Sequence, residues 1–214
     1  LDFVIDWLEN ILLMQVSAKK SQVLASKPSI AVAIEQATAS GKVSATSYAK
    51  LLGTDAVRGN RRSTANTVKR LQAFKDTLPR QHPLRKLGVN SAQMVQARAP
   101  PAYFYGIENM GASECLLQDA RASSEACASP DAAGRSVDIT LYANNGPNGP
   151  LDPAFDAHVN VIKYWALAHF EAWFSASALA KSFRAARIRI QQAKASRWRA
   201  VTGPAVAVIA TLAR

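Results

Sequence analysis

Between Pro153 and Gly203 the chain carries neither proline nor glycine, and this stretch constrains the fold more than any other feature. Proline fixes φ and lacks an N–H, and glycine supplies the left-handed residue that ends many helices, so their absence removes the two commonest breakers. Asp152 followed by Pro153 is a good cap and first-turn pair, and Gly203 with Pro204 closes the segment. The expectation is one long helical segment over 154–199, interrupted by nothing except clustered serines. The last apolar piece, 205–212, is too short to span a bilayer.

Elsewhere the punctuation divides the chain into shorter pieces. Residues 1–16 are nearly continuously apolar, broken by Asp2, Asp6, Glu9, Asn10 and Gln15, and fit a strand, a buried helix or a strand pair. Ser17 is placed to cap a short helix through Leu24, and Pro28 suits the first turn of another that ends near Gly41. Ser44 is placed to cap a helix over 45–52, with Gly53 at its end. From Ser63, the apolar positions Val68, Leu71, Phe74 and Leu78 recur at helical spacing, and Pro79 stops that helix. Asn90 caps a shorter helix through Arg98, and Pro100 with Pro101 breaks the chain before Tyr103, Phe104 and Tyr105. A helix over 113–128 carries Cys115 and Cys127. Residues 129–153 read as loop because 144–150 are successive turn formers; only 137–142 inside them looks like a strand.

The expected fold is therefore mainly α: a helical domain over 1–128, a loop-rich connector over 129–153 with at most a short strand, and a long C-terminal helical segment over 154–214 with apolar then basic halves. With 214 residues, 49% of them apolar and 19% charged, the chain can bury a real core and falls outside the disordered regime. Two cysteines exclude a disulfide scaffold, although not a single bridge. The first residue is Leu1, and 1–16 has neither a basic n-region nor a small-residue cleavage site. That suggests a processed or partial chain and suits an organellar protein.

Charge is segregated. Residues 1–57 balance, with five bases and five acids; residues 58–86 carry nine bases against Asp76 alone. Residues 87–180 hold four bases and nine acids, and 181–199 hold seven bases and no acid, within a total of +11. Two such blocks can attract a polyanion, either nucleic-acid phosphates or an anionic membrane surface, unless they pair with the acidic middle. The candidate contacts are Arg58, Arg61, Arg62, Lys69 and Arg70 in the first block. In the second they are Lys181, Arg184, Arg187, Arg189, Lys194, Arg197 and Arg199, with Trp198 able to stack on a base or sit at a membrane interface. Phe183, Ala186, Ile190 and Ala193 share one helical face, and Arg184, Arg187, Lys194 and Arg197 are displaced from it.

Residues 159–180 contain Tyr164, Trp165, Phe170, Trp173 and Phe174 and are close to apolar all round. As a membrane span they would carry Lys163, His169 and Glu171, and each charge near the bilayer centre costs about 2.5–3.5 kcal/mol, so a helix buried in a protein assembly is expected instead. His169 falls on one face with Ile162, Trp165 and Trp173. A core histidine is the ordinary reading of that position; the alternative is an axial ligand to haem or chlorophyll, and no other cofactor is expected. His158 and His169 are separated by about 16 Å of helix and cannot share a metal. His82 lies in a basic, proline-flanked surface segment. No phosphate-binding glycine loop, histidine pair at metal spacing or nucleophile elbow occurs, so no catalytic residue is named and no enzyme is expected.

Residues 4–53, read as VID, LLMQVSAKKSQVL and SGKVSATSYAKLLG, resemble the region after the polymerase core in reverse transcriptases of tyrosine-recombinase-type retrotransposons. There a strand pair leads into a lysine-bearing helix and then a short helix ending in Leu-Leu-Gly. The paired-aspartate polymerase signature is absent. Thr54, Asp55, Ala56, Val57 and Arg58 replace the family's aromatic continuation, and no acidic set matches a ribonuclease H site, although Asp138 opens the strand-like stretch. No functional residue is carried over; the resemblance implies a nucleic-acid context. The expected function is that of a non-enzymatic helical protein binding nucleic-acid backbone within a larger assembly. The alternative is an accessory subunit of a photosynthetic or respiratory membrane complex, with 159–180 docked in or against its membrane part.

Overall fold

Most residues of this chain lie in helices, about 65% against 6% in strands, as the spacing of its apolar positions implies. The computed structural model describes residues 1–51, 54–57, 62–128, 134–145, 150–193 and 197–213, and divides the chain into two compact units, Leu1–Ser63 and Thr64–Arg214.

In the first unit the apolar start forms neither strand nor buried helix: helix α1 (Asp2–Asp6) continues into a π-helical turn, Trp7–Ile11, with Ile5 buried and Phe3, Ile11 and Leu13 in solvent. The Asp2 carboxylate accepts hydrogen bonds from the Ala39 and Ser40 amides at 3.1 and 3.2 Å, which hold it below the usual carboxylate range. Glu9 likewise pairs with Lys42 and accepts from the Val16 amide, and both lower its pKa. Helix α2 (Pro28–Ala37) starts at the expected proline. It connects β1 (Gln22–Val23) to β2 (Ser44–Ala45), which pair in parallel with Gln22 opposite Ser44.

Strands β3 (Tyr48–Leu51) and β4 (Thr54–Val57) then form an antiparallel pair, with the Tyr48 hydroxyl donating to Asp55 Oδ1 at 2.7 Å. The short helices expected through Leu24 and over 45–52 are thus strands and turns. The Ser44 and Thr46 amides donate to the Ser21 and Val23 carbonyls, and such long-range bonds outweigh a weak local helix preference. Leu52 and Gly53 lie outside the described residues.

The second unit is a layered helical bundle. Helix α3 (Ala65–Lys75) buries Leu71, with Phe74 and Leu78 packed against the same core, while Val68 faces solvent. Helix α3 does end before Pro79, at Lys75, but Pro79 opens a new helix, sitting in the first turn of α4 (Leu78–Lys86), where its missing N–H costs nothing. The Asn90 side chain caps α5 (Ser91–Tyr103) as expected, accepting from the Gln93 amide at 3.1 Å. That helix runs on past Pro100 and Pro101, its end anchored by the wholly buried Tyr103 ring between Phe74 and Phe104.

After α6 (Ile107–Met110), α7 (Glu114–Ala128) buries Leu116, Leu117, Ala120 and Ser124. The strand expected at 137–142 is helix α8 (Val137–Ala143). Val137 and Leu141, four residues apart, reach the core, while Asp138 in the first turn pairs with Arg121. The alternating pattern is left with Ile139 and Tyr142 in solvent.

The long segment 154–199 is two helices. Helix α9 (Pro153–Phe170) begins at the expected cap, with Asp152 Oδ1 accepting from the Ala154 amide at 2.9 Å. It stops where Ala172 takes φ +50°. The Ser175 hydroxyl, one of the clustered serines, then caps α10 (Ala176–Gln192) by accepting from the Ala178 amide. A straight helix over 154–199 would be about 69 Å long, more than a unit this size can cover, and the break returns Phe183 to Trp165. A 3-10 turn (Arg197–Ala200) follows. Gly203 and Pro204 open a last helix, α11 (Pro204–Leu212), whose Val206, Ala207, Val208 and Ala210 sit at the centre of the bundle against α6, α9 and α10.

Candidate polyanion-binding surface

Helix α10 is amphipathic in the expected sense. Leu179 and Ala186 are buried, Phe183 and Ile190 pack against the core, and Lys181, Arg184 and Arg187 are exposed on other faces. Arg184 Nε donates to the Ala180 carbonyl one turn earlier, at 3.4 Å, which lays the guanidinium along the helix. Arg189 is half-buried. Residues 172–214 contain eight Lys and Arg and no Asp or Glu, so nothing on this stretch of chain neutralises the exposed bases.

The rest of the second block divides. Arg197 is spent within the fold, donating to the Ala213 carbonyl and pairing with Glu114 at 2.8 Å. Trp198, read from its arginine neighbours as a stacking side chain, is instead a core residue: its ring is buried and lies over Gly111. In a 3-10 turn successive side chains point about 120° apart, so the indole faces inward while the arginines on either side point elsewhere. Arg199 is exposed, and Lys194 lies outside the described residues.

The first block is more fully engaged. Arg70 sits over the Tyr105 ring, 5.3 Å from its centroid, and donates to the Tyr105 carbonyl at 3.2 Å. Lys75 pairs with Asp119 at 2.5 Å, and Arg85 donates to the Cys127 carbonyl. Lys69, Arg80 and Lys86 remain exposed, and Arg62 is half-buried in the first unit. Arg58 and Arg61 lie outside the described residues. Helices α3 and α4 pack on α5 and α7, whereas α10 packs on α11, so different layers of the bundle carry the two blocks.

Beside α10 the structure gathers aromatic rings. Trp165 is half-buried, tilted 31° to Phe183 at 6.2 Å and edge-on to His169 at 5.5 Å. The His169 imidazole is exposed, which corrects the expectation of a core histidine; it lies in the last turn of α9. Because that helix ends at Phe170, Trp173 shares no helical face with His169; its indole donates to Glu171 Oε2 at 2.6 Å. Phe170 is 89% exposed and Phe174 63%. The sequence carried one signal for this turn, the serines at 175 and 177, whose capping capacity marks a helix start inside the apolar run.

Among the described residues no three His, Cys, Asp or Glu side chains gather to hold a metal, and no helix is long and apolar enough to cross a membrane. Both thiols are free. Cys127 lines a cavity of about 390 Å³ between α4 and α7 and donates to Gln81 Oε1 at 2.9 Å. Burial pushes its pKa up to about 12, which makes it a poor nucleophile near neutrality. The Tyr103 hydroxyl, 3.3 Å from Ser124 Oγ, is also shifted up by burial. Asp138, noted at the start of the strand-like stretch, instead joins Asp152 around the Arg121 guanidinium and ties α7, α8 and α9 together. Compared with known proteins, the chain matches no family model, no curated protein and no solved structure.

Proposed function

We propose that this chain is a non-enzymatic component of a larger assembly that binds the phosphate backbone of RNA or DNA through the solvent side of α10. One observation carries the reading: Lys181, Arg184 and Arg187 project from a helix whose opposite face is fixed in the core, within a stretch that holds no acid from 172 to 214. A rigid row of cations neutralises successive phosphates and releases their counterions, the dominant source of affinity in sequence-independent binding. Arg199, Lys69, Arg80 and Lys86 add exposed positive charge elsewhere on the same unit and favour the same class of partner.

The test is a titration of RNA and DNA binding against salt. Log affinity should fall linearly with log salt, and replacing Lys181, Arg184 and Arg187 by glutamine should shallow the slope by about two to three. Absence of binding at low salt, or a flat response, removes the reading. A second reading, an accessory subunit docked in or against a membrane complex through 159–180, is supported by the outward side chains of Val159, Ile162 and Phe170. Retention on anionic vesicles without salt-dependent nucleic-acid binding would favour it.

A further inference from the structure

We infer that the nucleic acid taken by this surface is single-stranded, its unpaired bases stacking on Phe170, Trp173 and Phe174 while its phosphates run along Lys181, Arg184 and Arg187. The inference rests on the polyanion reading above and deepens it. Three large aromatic side chains within five residues are left at 89%, 50% and 63% exposure: Phe170 ends α9, and Trp173 and Phe174 follow the left-handed residue Ala172 in the turn beyond it. The turn runs directly into the N-terminus of α10. Along that helix Lys181 stands about 7.5 Å from Ala176, and Arg184 and Arg187 follow at steps of about 4.5 Å.

A duplex hides the faces of its bases, so a ring gains a stacking partner there only at the cost of unstacking a step; a single strand offers a π-face at every nucleotide. Aromatic platforms beside a cationic track are the combination that single strands require. Charge separates this partner from a purely apolar one, since no acid follows Glu171. Glu171 itself accepts the Trp173 indole hydrogen bond at 2.6 Å, which holds that ring in place with half its surface open.

The experiment compares the full chain with two variants, Phe170→Ala/Trp173→Ala/Phe174→Ala and Lys181→Gln/Arg184→Gln/Arg187→Gln, by fluorescence anisotropy. The probes are an oligouridine strand and an RNA duplex of equal length, compared at one salt concentration and, for the full chain, across a salt series, with phosphatidylserine vesicle co-sedimentation run in parallel. All six side chains are exposed, and circular dichroism with a thermal melt checks that each variant keeps its fold. The aromatic variant should lose at least about fivefold in affinity for the single strand with its duplex affinity unchanged, whereas the charge variant should weaken on both. Unchanged single-strand binding by the aromatic variant, or equal loss on both probes, overturns the inference and leaves the polyanion reading standing. So does an aromatic variant that loses only its binding to phosphatidylserine vesicles, which would assign the turn to a membrane surface. If the full chain binds neither nucleic acid in a salt-dependent way, the proposed function falls and the inference with it.

Discussion

Gly111 and Trp198 show how a single contact reassigns a residue. Gly111 has φ +58°, and a Cβ built on it would lie 2.7 Å from Trp198 Cζ3, closer than such atoms approach. The indole therefore packs on bare backbone, and both the positive φ and the ring exclude any larger side chain. Gly111→Ala should cost about 2–4 kcal/mol, the sum of backbone strain and overpacking, measured as a lower urea midpoint with unchanged slope. A variant as stable as the parent would mean that the ring does not sit there. None of this was legible in the sequence, where a tryptophan between two arginines reads as surface. On helical spacing Leu71, Phe74 and Leu78 announced themselves as core, although Val68 in the same series faces solvent. The exposure of Arg184 and Arg187 was legible from their displacement around α10, whereas Arg197, read the same way, is half-buried.

At the scale of elements, starts were easier to read than ends. Asp152 and Pro153 open α9 as expected, because capping and first-turn chemistry are local and depend on two adjacent residues. Asp152 also receives two bonds from Arg121 Nε, at 2.9 and 3.0 Å, so the cap and the ion pair can be separated. Asp152→Ala removes both and should cost about 2 kcal/mol; Asp152→Asn keeps a capping oxygen and should cost about 1 kcal/mol or less. Equal losses in chemical denaturation would show that the charge, not the cap, holds the helix start. The ends were misread for one reason. Pro100 and Pro101 read as stops, and the run after 154 read as unbroken, because a proline's effect depends on its position in a turn and a helix without breakers stops only where packing turns it. The strand-like 137–142 failed similarly: alternation counts only when a neighbouring strand accepts the backbone bonds.

For the whole molecule, the buried apolar cluster among the described residues draws its members from between Leu71 and Ala210, all within the second unit. A fragment spanning 64–214 should therefore keep its helical circular dichroism and melt cooperatively. A non-cooperative melt would mean that the first unit completes the core. By itself the sequence determined the class, mainly helical, together with the placement of α2, α3 and α7, the start of α9 and the basic, acid-free composition of α10, since periodicity, capping and charge are properties of neighbouring residues. Tertiary structure alone decided that Trp198 turns inward, that Arg70, Lys75 and Arg197 are consumed at home, and that the chain reverses at 171–175 to leave three aromatic rings in water. Those outcomes depend on which distant surfaces meet, and burial against a partner far along the chain is information that no local spacing contains.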